Sequence, residues 1–154
     1  MATLAKMFPG ARFIHIVRDP FVVFPSTKRL WHSLHHVQAM QIDSEKNAEE
    51  YVFDCFDTMY SAFERDRAEL DDERLHEIRY EELVKDPVSS MEKAYEKLKH
   101  GGIEKVRPAF EKQAESMKGY STNTYQHDPR IVSEIAKRWQ PFIQRYGYKQ
   151  PTVD

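Results

Sequence analysis

Arg12-Phe13-Ile14-His15-Ile16-Val17-Arg18-Asp19-Pro20 is the stretch on which the fold turns. Its apolar run is rich in β-branched residues and is bounded by Pro9-Gly10 on one side and Asp19-Pro20 on the other. Apolar side chains at both odd and even positions predict a strand buried on both faces, as in a parallel sheet. His15, inside that run, reads as a core residue. Leu4, Met7 and Phe8, just ahead, read as the last turn of a helix that starts upstream.

Moving outward, Asp-Pro recurs at Asp19-Pro20, Asp86-Pro87 and Asp128-Pro129, each time before a segment with helical periodicity. Aspartate can accept the first free N–H groups of a helix, and proline at the first helical position gives up an N–H that had no partner. A helix is predicted from Pro20 to about His36, carrying Leu30, Trp31 and Leu34. Pro25 is costly within it, about 3 kcal/mol in a helix interior. A regular helix beginning near Phe24 would remove that cost. From Ser44 to Leu70, Val52, Cys55, Phe56, Met59, Tyr60 and Phe63 fall at spacings of three and four, predicting one long amphipathic helix with Cys55 in the core. Leu75 to Arg79 reads as a second strand. Helices follow over 87–99, stopped by Gly101-Gly102, over 108–117, and over 129–146 with a kink at Pro141 and a stop at Gly147. A polar loop joins Lys118 to His127. A strand, a helical excursion and a strand, in that order, predict a parallel βαβ unit. Two strands alone make a marginal sheet, so such a unit belongs to a larger doubly wound one whose first strands lie outside this sequence.

Composition narrows the function. Lys+Arg 23 against Asp+Glu 25 leaves no basic excess, which argues against a nucleic-acid partner. A single cysteine excludes a disulfide framework and suits a reducing, cytoplasmic setting. No apolar run approaches the ~20 residues that span a bilayer, and the first residues do not read as a signal peptide. The 154 residues fit one domain. His32 and His36 stand at i, i+4, but no carboxylate occupies metalloprotease spacing between them, so no metal site is expected.

The chemistry concentrates at Arg18 and Ser26. Arg18 ends the first strand, and the carboxyl ends of parallel strands are where open α/β sheets bind ligands. If the helix starts near Pro25, Ser26 falls in its first turn, where free N–H groups favour an anion. A guanidinium fork suits phosphate oxygens. Spacing alone leaves a second reading open: Asp19 caps a helix, Arg18 pairs with a carboxylate and Ser26 is solvated.

The whole run from Phe8 to Pro20, with Ser26, resembles the 3′-phosphate-binding signature of sulfotransferases that use 3′-phosphoadenosine 5′-phosphosulfate (PAPS). Arg79-Tyr80-Glu81-Glu82-Leu83 with Asp86-Pro87 resembles that family's next signature, and Trp139 through Tyr146-Gly147-Tyr148 its closing pattern in bacterial-type members. The three are collinear and cover residues 8 to 148. The resemblance implies a P-loop NTPase-like α/β fold, represented here by an incomplete, mostly helical carboxyl-terminal part with about two parallel strands. It also implies that Arg18 and Ser26 hold the 3′-phosphate of PAPS or of its product adenosine 3′,5′-bisphosphate, and that Tyr80 packs on the adenine. Lys118 is the matching position for a phosphate contact from the loop over the nucleotide, although the Arg-Lys-Gly triplet of cytosolic relatives is missing.

Relatives carry a Lys-x-Gly-Thr-Thr-like loop for the 5′-phosphosulfate and a histidine or glutamate base before the position of Phe8. Neither is found in these residues, so no catalytic residue is assigned. The expectation is a sulfotransferase chain that supplies the 3′-phosphate and adenine side of the donor site and is inactive alone. It would either self-associate or lack an amino-terminal half. The acceptor would be a small-molecule, glycan or lipid hydroxyl or amine. The rival readings are a non-catalytic binding protein of the same fold and a piece of a P-loop kinase.

Overall fold

A computed structural model describes residues 1–38, 40, 45–119, 122–126 and 128–152. In chain order these form α1 (Ala2–Met7), β1 (Phe13–Val17), α2 (Pro20–Gln38), α3 (Glu45–Arg67), β2 (Leu75–Arg79), α4 (Tyr80–Lys85), α5 (Pro87–Lys97), α6 (Ile103–Ser116), α7 (Pro129–Arg138) and α8 (Gln140–Tyr146). Ser44, His127 and positions 120 and 121 of the predicted 118–127 loop lie outside the described residues. Contacts along the chain divide it into two compact units. The first comprises Met1–Arg18 and Phe63–Thr122, the second Asp19–Ala62 and Asn123–Asp154.

The first unit is built on the two strands, which pair in parallel with Phe13 opposite Leu75 and Val17 opposite Arg79. The approach to β1 is fixed by Arg74, whose guanidinium donates to the carbonyls of Ala11 at 3.1 Å, Phe8 at 3.3 Å and Ala5 at 3.4 Å. One cation thereby satisfies three carbonyls at the end of α1 and in the turn after it. α4 and α5 pack on β2, and Val17, Ile78, Ala94 and Leu98 are buried. The expectation of a strand covered on both faces is corrected here: Ile14 and Ile16 are 42% and 50% exposed. Alternation puts them together on the face opposite Phe13, His15 and Val17. His15 is half-buried rather than core. It faces Glu77, its cross-strand partner, at 3.1 Å, and its ring centre lies 3.9 Å from that of Phe63 with the planes tilted by 37°. Pro108 lies inside α6, which begins five residues before the expected start.

The second unit has a dense aromatic core. Phe21, Phe24, Val52, Phe53, Val132, Ile135 and Trp139 form one buried cluster, and the Trp139 ring stacks on Phe56 at 3.9 Å. Around it, Arg138 lies over the Phe53 ring at 4.5 Å while bonding Glu50 at 2.7 Å and Asp54 at 2.9 Å. Cys55 and Met59 are exposed, not in the core as the periodicity predicted. Val52, Phe53, Phe56 and Tyr60 define the inward stripe instead, because the large rings of Phe53 and Phe56 rotate the helix toward Trp139. The single last helix is in fact two, broken at Trp139, with Pro141 in the first turn of α8, where a missing N–H costs nothing.

All three Asp-Pro pairs cap as expected. Asp19 accepts the Phe21 N–H at 2.8 Å, Asp86 that of Ser89 at 3.1 Å, and Asp128 that of Arg130 at 2.8 Å. The first of these overturns the late start for α2, which runs unbroken from Pro20 through Pro25. A helix starting at Phe24 would forfeit the Asp19 cap and the helical placement of Phe21, which is 2% exposed. Full burial of a phenylalanine is worth about 1.5–3 kcal/mol and a cap about 1 kcal/mol, enough to offset an internal proline costing about 3 kcal/mol.

Candidate functional site

The parallel register decides what stands at the carboxyl end of the sheet. With Val17 opposite Arg79, the next residues along the two strands are Arg18 and Tyr80, and they leave the sheet side by side. The guanidinium carbon of Arg18 sits 4.1 Å above the centroid of the Tyr80 ring. Such a stack is worth about 0.5–2 kcal/mol, depending on desolvation, and it leaves the in-plane N–H groups of the arginine available to a ligand. Both side chains are partly buried, so the arginine is held in one orientation while keeping access to solvent.

Tyr80 has a second role in the first unit. It opens α4 directly from the end of β2 and lines a cleft of about 720 Å³ among α4, α5 and α6. Leu83, Met91 and Phe110 make its walls largely apolar, and Lys118 and Gly119 border it. Lys118 bonds Glu115 at 2.5 Å, with both side chains well exposed. An exposed pair of this kind contributes only about 0–1 kcal/mol, so the ammonium can be exchanged to an incoming anion at small cost.

Three of the four sequence-derived residues, Arg18, Tyr80 and Lys118, therefore lie in the first unit, and Tyr80 connects the arginine to the cleft. Ser26 belongs to the second unit. It is partly buried in the second turn of α2, six residues after Pro20, and not in the first turn as the late helix start required. The free N–H groups of that helix end are engaged by Asp19, through its side chain to Phe21 and its carbonyl to Val22 and Val23. Ser26 therefore does not stand at an open helix mouth, and what it presents to an anion is its hydroxyl.

The sequence reading missed the cleft and α4. Their signal was present in the apolar pairs Leu83-Val84 and Val88/Met91, which follow Tyr80 at helical spacing. No group of three or more histidine, cysteine or carboxylate side chains suited to a metal occurs among the described residues. No helix among them is long and apolar enough to cross a membrane.

Against known proteins, the family model described as "Sulfotransferase family" matches residues 1–101. The chain is 33% identical over 151 residues to omega-hydroxy-beta-dihydromenaquinone-9 sulfotransferase Stf3 of Mycobacterium bovis, and equally to that of Mycobacterium tuberculosis. These matches take in 98% of the chain but 39% of each relative, so the chain spans about two-fifths of their length. Among solved structures, the sulfotransferase domain from the curacin biosynthetic pathway superposes with a TM-score of 0.55 at 18% identity, covering 98% of this chain and 60% of that one. That likeness gives the fold, α/β and P-loop-like, with the two parallel strands as its share of the sheet. With the family model matching well over half of the residues, the chain belongs to the sulfotransferase family.

Proposed function

We propose that this chain forms the 3′-phosphate and adenine side of a PAPS site in an enzyme that transfers a sulfuryl group to a hydroxyl or amine acceptor. The observation that carries the reading is the Arg18–Tyr80 stack at 4.1 Å, at the end of two parallel strands and beside an apolar cleft. The site's chemistry fits the donor: a fixed guanidinium fork for a phosphate, an aromatic ring and apolar walls for a purine, and a cationic side chain at the rim. One face of Tyr80 is taken by Arg18, so the adenine would use the face or edge of the ring that borders the cleft. Arg18 would bind the 3′-phosphate through its in-plane N–H groups, and Lys118 would leave Glu115 to reach a phosphate oxygen. For Ser26 the support is its place in the family signature, eight residues after Arg18. Bound PAPS would supply the sulfuryl group. This chain's residues would orient the nucleotide and keep water from its base.

A lipid-borne hydroxyl is the acceptor class we favour, because the mycobacterial relatives are named for an omega-hydroxy dihydromenaquinone. Titration calorimetry tests the donor assignment. Adenosine 3′,5′-bisphosphate should bind, and Arg18→Ala should weaken it roughly 10- to 100-fold, the loss of one charged hydrogen-bonded contact of about 1.5–3 kcal/mol. Equal affinity for ATP would overturn the assignment and favour a kinase-like site.

A further inference from the structure

On a helix, residues three and four positions apart share a face. For Ser26 on α2 these are Val22, Val23, Arg29 and Leu30. Three are aliphatic, and the fourth carries a guanidinium. Lys28 is nearer in sequence but stands about 200° round the helix from Ser26, where the buried Glu49 holds its ammonium at 2.8 Å. Arg29 is exposed. Every Cα–Cβ bond in a helix tilts toward the amino terminus, so a long side chain lies over the turn before its own Cα. For Arg29 that is the turn holding Ser26. The 19 residues of α2 include no aspartate or glutamate, so no carboxylate of its own helix competes for this guanidinium.

We infer that Arg29 is a second arginine for the 3′-phosphate, acting with the Ser26 hydroxyl one turn before it. The inference rests on the donor assignment above, in which Arg18 and Ser26 bind that group. A phosphate monoester carries a charge of about −1.5 to −2 at neutral pH and three strongly accepting oxygens. Arg18 and Ser26 together bring a single positive charge to it. A second guanidinium makes up the difference, and its planar fork can engage two oxygens at once while the serine hydroxyl donates to one. The aliphatic side chains of Val22, Val23 and Leu30 offer no acceptor that would divert either group. Arg29 thereby acts on selectivity: a nucleotide without the 3′-phosphate gains nothing from it.

The test is titration calorimetry of the full 154-residue chain with two ligands, adenosine 3′,5′-bisphosphate and adenosine 5′-monophosphate. Arg29→Ala should weaken the bisphosphate roughly tenfold or more, as loss of a charge-assisted contact does, and leave the monophosphate nearly unchanged. Arg29→Lys should recover part of that loss, because it restores the charge without the fork. The melting curve should stay where it is, since the side chain is exposed. An equal loss for both ligands would mean a diffuse charge effect or a fold defect and would overturn the inference, as would no loss for the bisphosphate. Arg18→Ala separates the two levels. If it weakens the bisphosphate while Arg29→Ala does not, the donor assignment stands and Arg29 is excluded. If the unsubstituted chain binds the bisphosphate no better than the monophosphate, the donor assignment fails and this inference fails with it.

Discussion

The two units differ in where their energy lies. The second closes around seven buried residues, four of them aromatic, with Trp139 at the centre. The first rests on two short strands, and its buried apolar residues are the smaller Ala5, Val17, Ile78, Ala94 and Leu98. Yet the first unit carries the stacked arginine, the cleft and three of the four sequence-derived nucleotide contacts. Stability and ligand chemistry are thus assigned to different parts of one chain. Large aromatic rings bury much area per residue and tolerate little rearrangement. Smaller residues with an open cleft leave room for a ligand.

The contrast can be broken most directly at Trp139. It is 1% exposed, and Trp139→Ala should lower stability by about 3–5 kcal/mol, whereas Leu98→Ala in the first unit should fall near the low end of the ~2–5 kcal/mol range. Urea titrations followed by circular dichroism measure both, and equal costs would erase the distinction. The next largest effect concerns ligand and not fold. Tyr80→Leu keeps an apolar residue at the cleft but removes the platform under Arg18. It should weaken adenosine 3′,5′-bisphosphate by roughly 3- to 30-fold, the value of a cation–π contact, with the urea midpoint almost unchanged. A large drop in stability would make Tyr80 a core residue first and a ligand contact second.

The smallest effect separates the units by pH. Burial, with Lys97 nearby, lowers the His76 imidazole below its ordinary 6.5, against a smaller opposing pull from Glu77. The folded state therefore resists protonation there. Its contribution is intact above pH about 6.5 and is lost as pH falls from that value toward the depressed one. In the second unit, burial raises the Glu49 carboxyl, but hydrogen bonds and charge from Lys28 and Arg130 outweigh it, and the net shift is downward from 4.5. That contribution persists above the ordinary glutamate range and fades only in stronger acid. Amide exchange in β1 and β2, corrected for intrinsic rate, should accelerate between pH about 7 and 5.5, and His76→Gln should abolish the change. Tryptophan emission, which reports Trp31 and Trp139 in the second unit alone, should stay constant over that interval. Simultaneous changes would show that the two respond as one.

Much of this was legible in the residues. The Asp-Pro caps, both strands and their parallel pairing followed from local chemistry, since a cap and a β-branched run need only near neighbours to be read. Cys55 and Pro25 were misread for one reason. Spacing alone put Cys55 inward and proline's cost alone delayed the helix at Pro25, while the large rings nearby, Phe53 and Phe56 for one and Phe21 for the other, set the helix phase and start. The open face of β1 was hidden too, because an apolar run states what a strand could bury and not what is present to cover it. At the site, Arg18 and Tyr80 were identified from a signature. Their stack depends on register, which no single segment encodes.

That register is itself protected. Ile78, 4% exposed, is flanked by Glu77 and Arg79. A shift of β2 by one position in either direction would turn a full charge into the space the isoleucine now fills. Burying an unpaired ion costs several kcal/mol, so misaligned sheets are penalised before they form. The two charged neighbours of one aliphatic residue thereby act as a ratchet on strand alignment, and through it they keep Arg18 beside an aromatic ring and not beside another guanidinium.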